Sequence, residues 1–135
     1  MDIKRKVDKL IKDFQTRDPF KLAKFLKVKI IYANLGETRG FFKKILRRKF
    51  IFINENLTEF EKRLVCAHEL AHSILHCSKE LQFLLDNTNM IKRGALEKEA
   101  NEFVKLLLLE NMEFEEKIQL KKIKSEVVKE ILCIF

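Results

Sequence analysis

Cys66-Ala67-His68-Glu69-Leu70-Ala71-His72-Ser73-Ile74-Leu75-His76 is the stretch on which the reading of this chain turns. Two histidines stand four residues apart with a glutamate after the first. The surrounding positions keep helical spacing: Phe60, Leu64, Ala67, Ala71, Ile74 and Leu75 form one apolar stripe, and His68, His72 and His76 run along its edge. On a helix, residues four apart lie one turn apart on the same face, so His68 and His72 can grip one metal ion with Glu69 beside them. Upstream, Thr58-Glu59-Phe60-Glu61 has the form of a capping box, with Thr58 as cap and Glu61 reaching back. The spacing therefore predicts a motif helix from about Glu59 to Cys77.

Working outward, Val28 to Ala33 and Phe50 to Ile53 are rich in β-branched and aromatic residues, and Gly36 and Gly40 punctuate a turn before Phe41, Phe42 and Ile45. This predicts a small three-stranded, largely antiparallel sheet. Nearer the start, Ile3, Val7, Leu10, Ile11 and Phe14 have helical spacing, and Asp18-Pro19 opens a short second helix running to Leu26. Beyond the motif, residues 78 to 90 read as a connection or covering segment, a helix resumes near Ile91 to Glu110, and one or two more follow to Phe135. The fold class expected is α+β: a mostly helical, zincin-like domain with the small sheet packed beside the motif helix. A chain of 135 residues with 47% apolar content, 12 Phe, 3 Gly and 1 Pro has enough core for one domain, residues 1–135, and too little for two.

A formal charge of +8 raises the question of nucleic acid. The basic clusters are local, Lys43-Lys44 and Arg47-Arg48-Lys49 flanking a hairpin and Lys121, Lys122 and Lys124 near the C-terminus, and no nucleic-acid motif accompanies them. They read first as solvated faces, which argues against direct nucleic-acid binding. The N-terminus lacks an apolar signal core, and the longest aliphatic run, Leu106 to Leu109, is far too short to span a bilayer, so a cytoplasmic protein without membrane attachment is expected. Cys66, Cys77 and Cys133 show no metal-ribbon or redox spacing and read as reduced thiols without a disulfide.

Two neutral imidazoles and one carboxylate leave a position open for water in a catalytic Zn2+ site. Glu69 is placed to act as general base toward that water. For the third ligand the helix after residue 90 offers Glu97, Glu99 and Glu102. With Leu96, Ala100, Phe103, Leu106 and Leu107 taken as its apolar stripe, Glu99 falls inside and the other two outside, and a carboxylate on a buried face needs a partner or a metal. Glu99 is therefore the expected ligand. His76 lies about 12 Å along the helix from His68, too far to share its ion, and is expected to support the site, to contact substrate or to cap the helix end. Tyr32 and Arg39 are the weakly placed candidates for an oxyanion partner. A strand tyrosine reads first as core packing, and neither is included in the site.

Gly40-Phe41-Phe42, Ile51-Phe52-Ile53-Asn54 leading to Leu57, the histidine segment above and Glu97-Lys98-Glu99-Ala100-Asn101-Glu102-Phe103 together resemble the ImmA/IrrE family of zinc metallopeptidases. The resemblance covers most of the chain. It implies zinc bound by His68, His72 and Glu99, a zinc-activated water with Glu69 as base, and a protein substrate, a helix-turn-helix repressor of a phage or integrating element. Two departures stand out: Ala71 where glycine is common, and no proline in Leu106-Leu107-Leu108-Leu109-Glu110-Asn111. The alternative is a metal-bound, non-catalytic module that binds a regulatory protein.

Overall fold

The computed structural model describes residues 2–88, 93–113, 116 and 125–132. Helix α1 (Ile3–Phe14) starts at Asp2, whose side chain accepts from the Arg5 amide, and α2 (Pro19–Phe25) starts at Asp18 with Pro19 at its first position. Strands β1 (Val28–Ala33), β2 (Gly40–Ile45) and β3 (Arg48–Asn54) form one sheet in the order β1-β3-β2. The hairpin β2–β3 is antiparallel as expected, but β1 pairs with β3 in parallel, Val28 opposite Lys49 through Ala33 opposite Asn54. The sheet is thus mixed rather than largely antiparallel. The central place goes to β3, whose Ile51 and Ile53 are fully buried while Phe50 and Phe52 cover its other face, and β1 must cross over to reach its free edge.

The crossover, residues 34–39, is pinned by Asn54. Its amide nitrogen donates to the carbonyls of Gly36 at 2.9 Å and Thr38 at 3.0 Å, its amide oxygen accepts from the Asn56 amide at 3.0 Å, and its own backbone N–H donates to Arg39. A buried amide with every group engaged costs little and fixes where β2 begins.

There stands Gly40. A Cβ at this position would lie 2.5 Å from the Phe52 carbonyl oxygen and 2.6 Å from Val65 Cγ1. The missing side chain is what lets β2 lie close against the next helix. Gly40→Ala is expected to cost roughly 2–3 kcal/mol by overpacking backbone and core together; an unchanged urea midpoint would show that the contact is not tight.

Helix α3 (Glu59–Leu75) carries the predicted capping box: the Glu61 amide donates to Thr58 Oγ1 at 3.2 Å, and Glu61 Oε1 accepts from the Thr58 amide at 2.9 Å. It ends two residues before the expected Cys77, with His76 as its C-cap. Leu64, Val65, Cys66, Ala67, Leu70 and Ala71 are buried along it, and it packs on α2, β2, β3 and the later helices. Residues expected to form a connection contain α4 (Lys79–Asn87), opened by Ser78, whose hydroxyl accepts from the Leu81 amide. None of its residues is buried.

The helix expected over Ile91 to Glu110 is α5 (Arg93–Val104) continued by a π-helical segment, Lys105–Leu109. Arg17 Nη1 donates to the Leu106 and Leu107 carbonyls at 3.2 and 3.0 Å, anchoring this widened turn to the chain before α2. Helix α6 (Glu126–Leu132) buries Val127, Val128 and Ile131 and closes the core against α3 and α5. Cys66 is buried and Cys77 partly so, both as free thiols, and burial pushes the Cys66 thiol well above its ordinary range. Cys133 and the cluster Lys121, Lys122 and Lys124 lie outside the described residues.

Candidate metal centre

The ligating atoms of His68, Glu69 and His72 all lie within 4.8 Å of one another. His68 is buried and its Nε2 sits 3.2 Å from His72 Nε2. A third group closes the set from α5. Glu97 spans the two rings, Oε2 lying 3.0 Å from His68 Nε2 and Oε1 lying 2.9 Å from His72 Nε2. Donors around one tetrahedral metal, each about 2.1 Å from it, stand about 3.4 Å apart. The two imidazoles and this carboxylate are spaced for that.

Glu99, expected as the third ligand, lies elsewhere: its Oε1 is 3.4 Å from His76 Nε2. The reason is the phase of the helix. Val104 is fully buried, Leu106 is only partly so, and the backbone widens to π geometry from Lys105. With Ala100, Phe103, Val104 and Leu107 as the true stripe, Glu97 stands about 60° from Ala100 on one flank and Glu99 about 100° away on the other. Counting Leu106 into the stripe and leaving Val104 out moved its centre toward Glu99.

The outer nitrogen of each imidazole meets a different partner. His72 Nδ1 lies 2.9 Å from His76 Nδ1, and His76 passes the contact on to Glu99. Asn101 lies one turn beyond Glu97 and acts electrostatically on His68, and His68 Nδ1 and Asn101 Oδ1 are the buried polar side-chain atoms among the described residues without a hydrogen-bond partner. A metal on Nε2 leaves Nδ1–H as the donor, and Asn101 Oδ1 is a suitable acceptor for it. Glu97 and Asn101, spaced i, i+4 on the flank next to Val104, were legible as a pair only with the correct stripe. His76 fills the supporting and helix-capping role expected of it.

Burial raises the Glu69 carboxyl above its ordinary range, against the pull of His68 and His72 and, more weakly, of the Phe42 backbone N–H of β2. The hydrogen bonds from His68 and His72 hold Glu97 far below the usual carboxylate range. Burial lowers His68, but its hydrogen bond with Glu97 and the charges of Glu69 and Glu97 outweigh that and leave it raised. Two cavities flank the cluster. One of about 460 Å³ is lined by Arg39, Gly40, His68, Glu69, Glu97 and Asn101; the other, about 380 Å³, by Phe41, Phe42, Glu69, His72 and Glu97 among others. Glu69 and Glu97 border both.

Of the two residues weighed as oxyanion partners, only Arg39 reaches the first cavity, where it pairs with Glu130 of α6. Tyr32 is not core packing: it is 48% exposed, with Lys62 Nζ 5.5 Å from its ring centroid.

Residues 23–131 match the sequence profile of the peptidase M78 family, described as the IrrE N-terminal-like domain. The chain belongs to this family. Its relatives include immunity region protein 2 of Bacillus phage phi105, 40% identical over 108 residues, which is 79% of this chain and 68% of the relative. Metallopeptidase ImmA of Bacillus subtilis (strain 168) is 34% identical over 110 residues, 79% of this chain and 63% of that protein. The match thus spans about two thirds of each relative. No solved structure matches the chain. The resemblance drawn from the motif segments is therefore correct, and it places the chain in a metallopeptidase family. No helix among the described residues is long and apolar enough to cross a membrane.

Proposed function

We propose that residues 1–135 act as one domain, a zinc-dependent endopeptidase of the cytoplasm that cleaves a helix-turn-helix transcriptional repressor. The observation that carries the reading is the Glu97 carboxylate bridging His68 and His72 Nε2, with Glu69 alongside and a cavity on each side. His68, His72 and Glu97 hold the metal in this reading, Glu97 taking the place expected for Glu99. Two imidazoles and a carboxylate form the donor set of zinc hydrolases.

When bound, zinc acidifies a water and polarises the scissile carbonyl. Glu69 takes the proton that the attacking water gives up and returns it to the nitrogen as the carbon–nitrogen bond breaks, so that a carboxylic acid and a neutral amine are left, the acid then losing its proton to the amine to give carboxylate and ammonium. Its burial makes it a better base than an exposed glutamate. Asn101 and the His76–Glu99 pair hold the ligand rings in orientation.

The regulatory substrate is supported by the immunity-region and ImmA names of the relatives. The test is to incubate the zinc-loaded protein with the repressor encoded nearest to it. One new pair of termini, absent with Glu69→Gln, supports the reading. Repressor bound intact by both forms favours the non-catalytic module instead.

Zinc retention should depend on pH with a definite sign. Each imidazole must be unprotonated to bind, and the raised His68 holds its proton to a higher pH than an ordinary histidine, while Glu97 stays ionised. Affinity is expected to fall as pH drops, by about tenfold per pH unit for each proton that must leave a ligand imidazole. Competition against a chromophoric chelator reads this directly, and a flat profile would exclude the two histidines as ligands.

A further inference from the structure

The β2–β3 hairpin carries two features that neither the fold nor the metal centre uses. Ile45 and Arg48 pair across a two-residue turn, and both turn residues have positive φ, Leu46 at 49° and Arg47 at 75°. Such turns favour Asn-Gly, because side chains with a Cβ disfavour this backbone. Leu46 accepts the strain and presents its side chain to solvent, 91% exposed. The turn itself sets this backbone; a leucine in it, rather than Asn or Gly, leaves an apolar side chain at the tip of the hairpin.

The second feature is charge. From Gly40 to Asn54 the chain has five cationic residues, Lys43, Lys44, Arg47, Arg48 and Lys49, and no Asp or Glu. Lys49 donates to the Ser73 carbonyl, but Lys43, Lys44, Arg47 and Arg48 are exposed and form no ion pair among the described residues. Between the hairpin and α4 runs a groove of about 580 Å³ lined by Lys44, Leu46, Arg47 and Lys79. Phe42 and Gln82 line both this groove and the cavity on the His72 side of the metal centre, so the two adjoin.

We infer that this groove is a substrate exosite: it binds an acidic stretch, bearing an apolar side chain that packs on Leu46, of the protein whose scissile bond lies at the metal centre. The proposal rests on the peptidase reading and names the chemistry of its substrate. A concave groove leading from the cleft suits a peptide segment better than a flat bilayer or a duplex.

The Glu69→Gln protein serves as the binding form, so that binding is read without cleavage. Fluorescence anisotropy is measured with a labelled peptide of alternating Glu and Leu, with the same peptide carrying Ser for Leu, with duplex DNA and with phosphatidylserine vesicles. The expected result is binding of the Glu-Leu peptide that weakens about tenfold in Lys44→Glu/Arg47→Glu, and about fivefold on removing Leu from the peptide or in Leu46→Gly. Leu46→Gly relieves the turn, so its melting temperature should hold or rise while binding falls, which separates lost contact from lost fold. Peptide affinity indifferent to these changes overturns the exosite, as does tighter binding of duplex or vesicles through the same lysine and arginine. If the chain binds as expected yet cleaves nothing, the peptidase reading fails and the groove stands. If it cleaves neutral peptides and charge reversal changes no binding, the reverse holds.

Discussion

Glu97→Gln is expected to empty the protein of stoichiometric zinc, whereas Glu99→Gln keeps it. Glu97 presents one carboxylate oxygen to each ligand imidazole, so its replacement by a neutral amide removes the negative donor from the set. The loss should go well beyond the roughly 10–100-fold that follows when an outer partner of a metal ligand is removed. Glu99 is such an outer partner. It touches His76 at 3.4 Å, and His76 in turn steadies His72, so Glu99→Gln belongs inside that smaller range. Metal content by mass spectrometry and chelator competition on both variants decide between the two glutamates. Zinc lost from Glu99→Gln but retained at parental affinity by Glu97→Gln would return the third ligand to Glu99.

Glu69→Gln is expected to keep one zinc per chain and to lower kcat by about 10²–10⁴, the usual contribution of a positioned general base. The variant should fold at least as well as its parent. Burial raises the Glu69 carboxyl, so the folded state binds its proton more tightly than the unfolded state does. The ionised carboxylate therefore opposes folding at pH values above both ranges, and a neutral amide of the same shape removes that opposition. Metal content, thermal melting and turnover of the cleaved repressor belong in one experiment. Turnover at the parental rate with metal retained would exclude Glu69 as the base.

How far the sequence could be read differs from element to element for physical reasons. The caps at Asp18 and Thr58 and the motif helix were legible because each depends on residues within one or two turns: a side-chain oxygen and the amides it can reach, a stripe repeating every 3.6 residues. Both members of the β2–β3 hairpin were legible in the same way. Helix α4 was not: its apolar residues stand close together from Leu81 to Leu85 between Ser78 and Asp86-Asn87, a pattern that reads equally as a covering segment. The parallel pairing of β1 with β3 was also out of reach, because local pattern says that a strand exists but not which neighbour it finds.

The candidate centre divides along the same line. His68, Glu69 and His72 sit within one turn and a half of a single helix, and their mutual geometry is a property of that helix alone. The third carboxylate comes from another helix, so its identity depends on how α5 is rotated against α3. That rotation is set by burial of Val104 and Leu107 and by the π-helical turn that follows, which Arg17 anchors from far along the chain.

By itself, then, the amino-acid sequence determined the family, the motif helix and the two histidines with their neighbouring glutamate, because these rest on contacts between residues close in the chain. Only the tertiary structure decided that Glu97 meets the imidazoles, that Glu99 and Asn101 stand behind them, and that Gly40 lets β2 approach Glu69. Those outcomes follow from the packing of whole elements, where one widened helical turn or one missing Cβ changes which side chain faces the centre, and no local period carries that information.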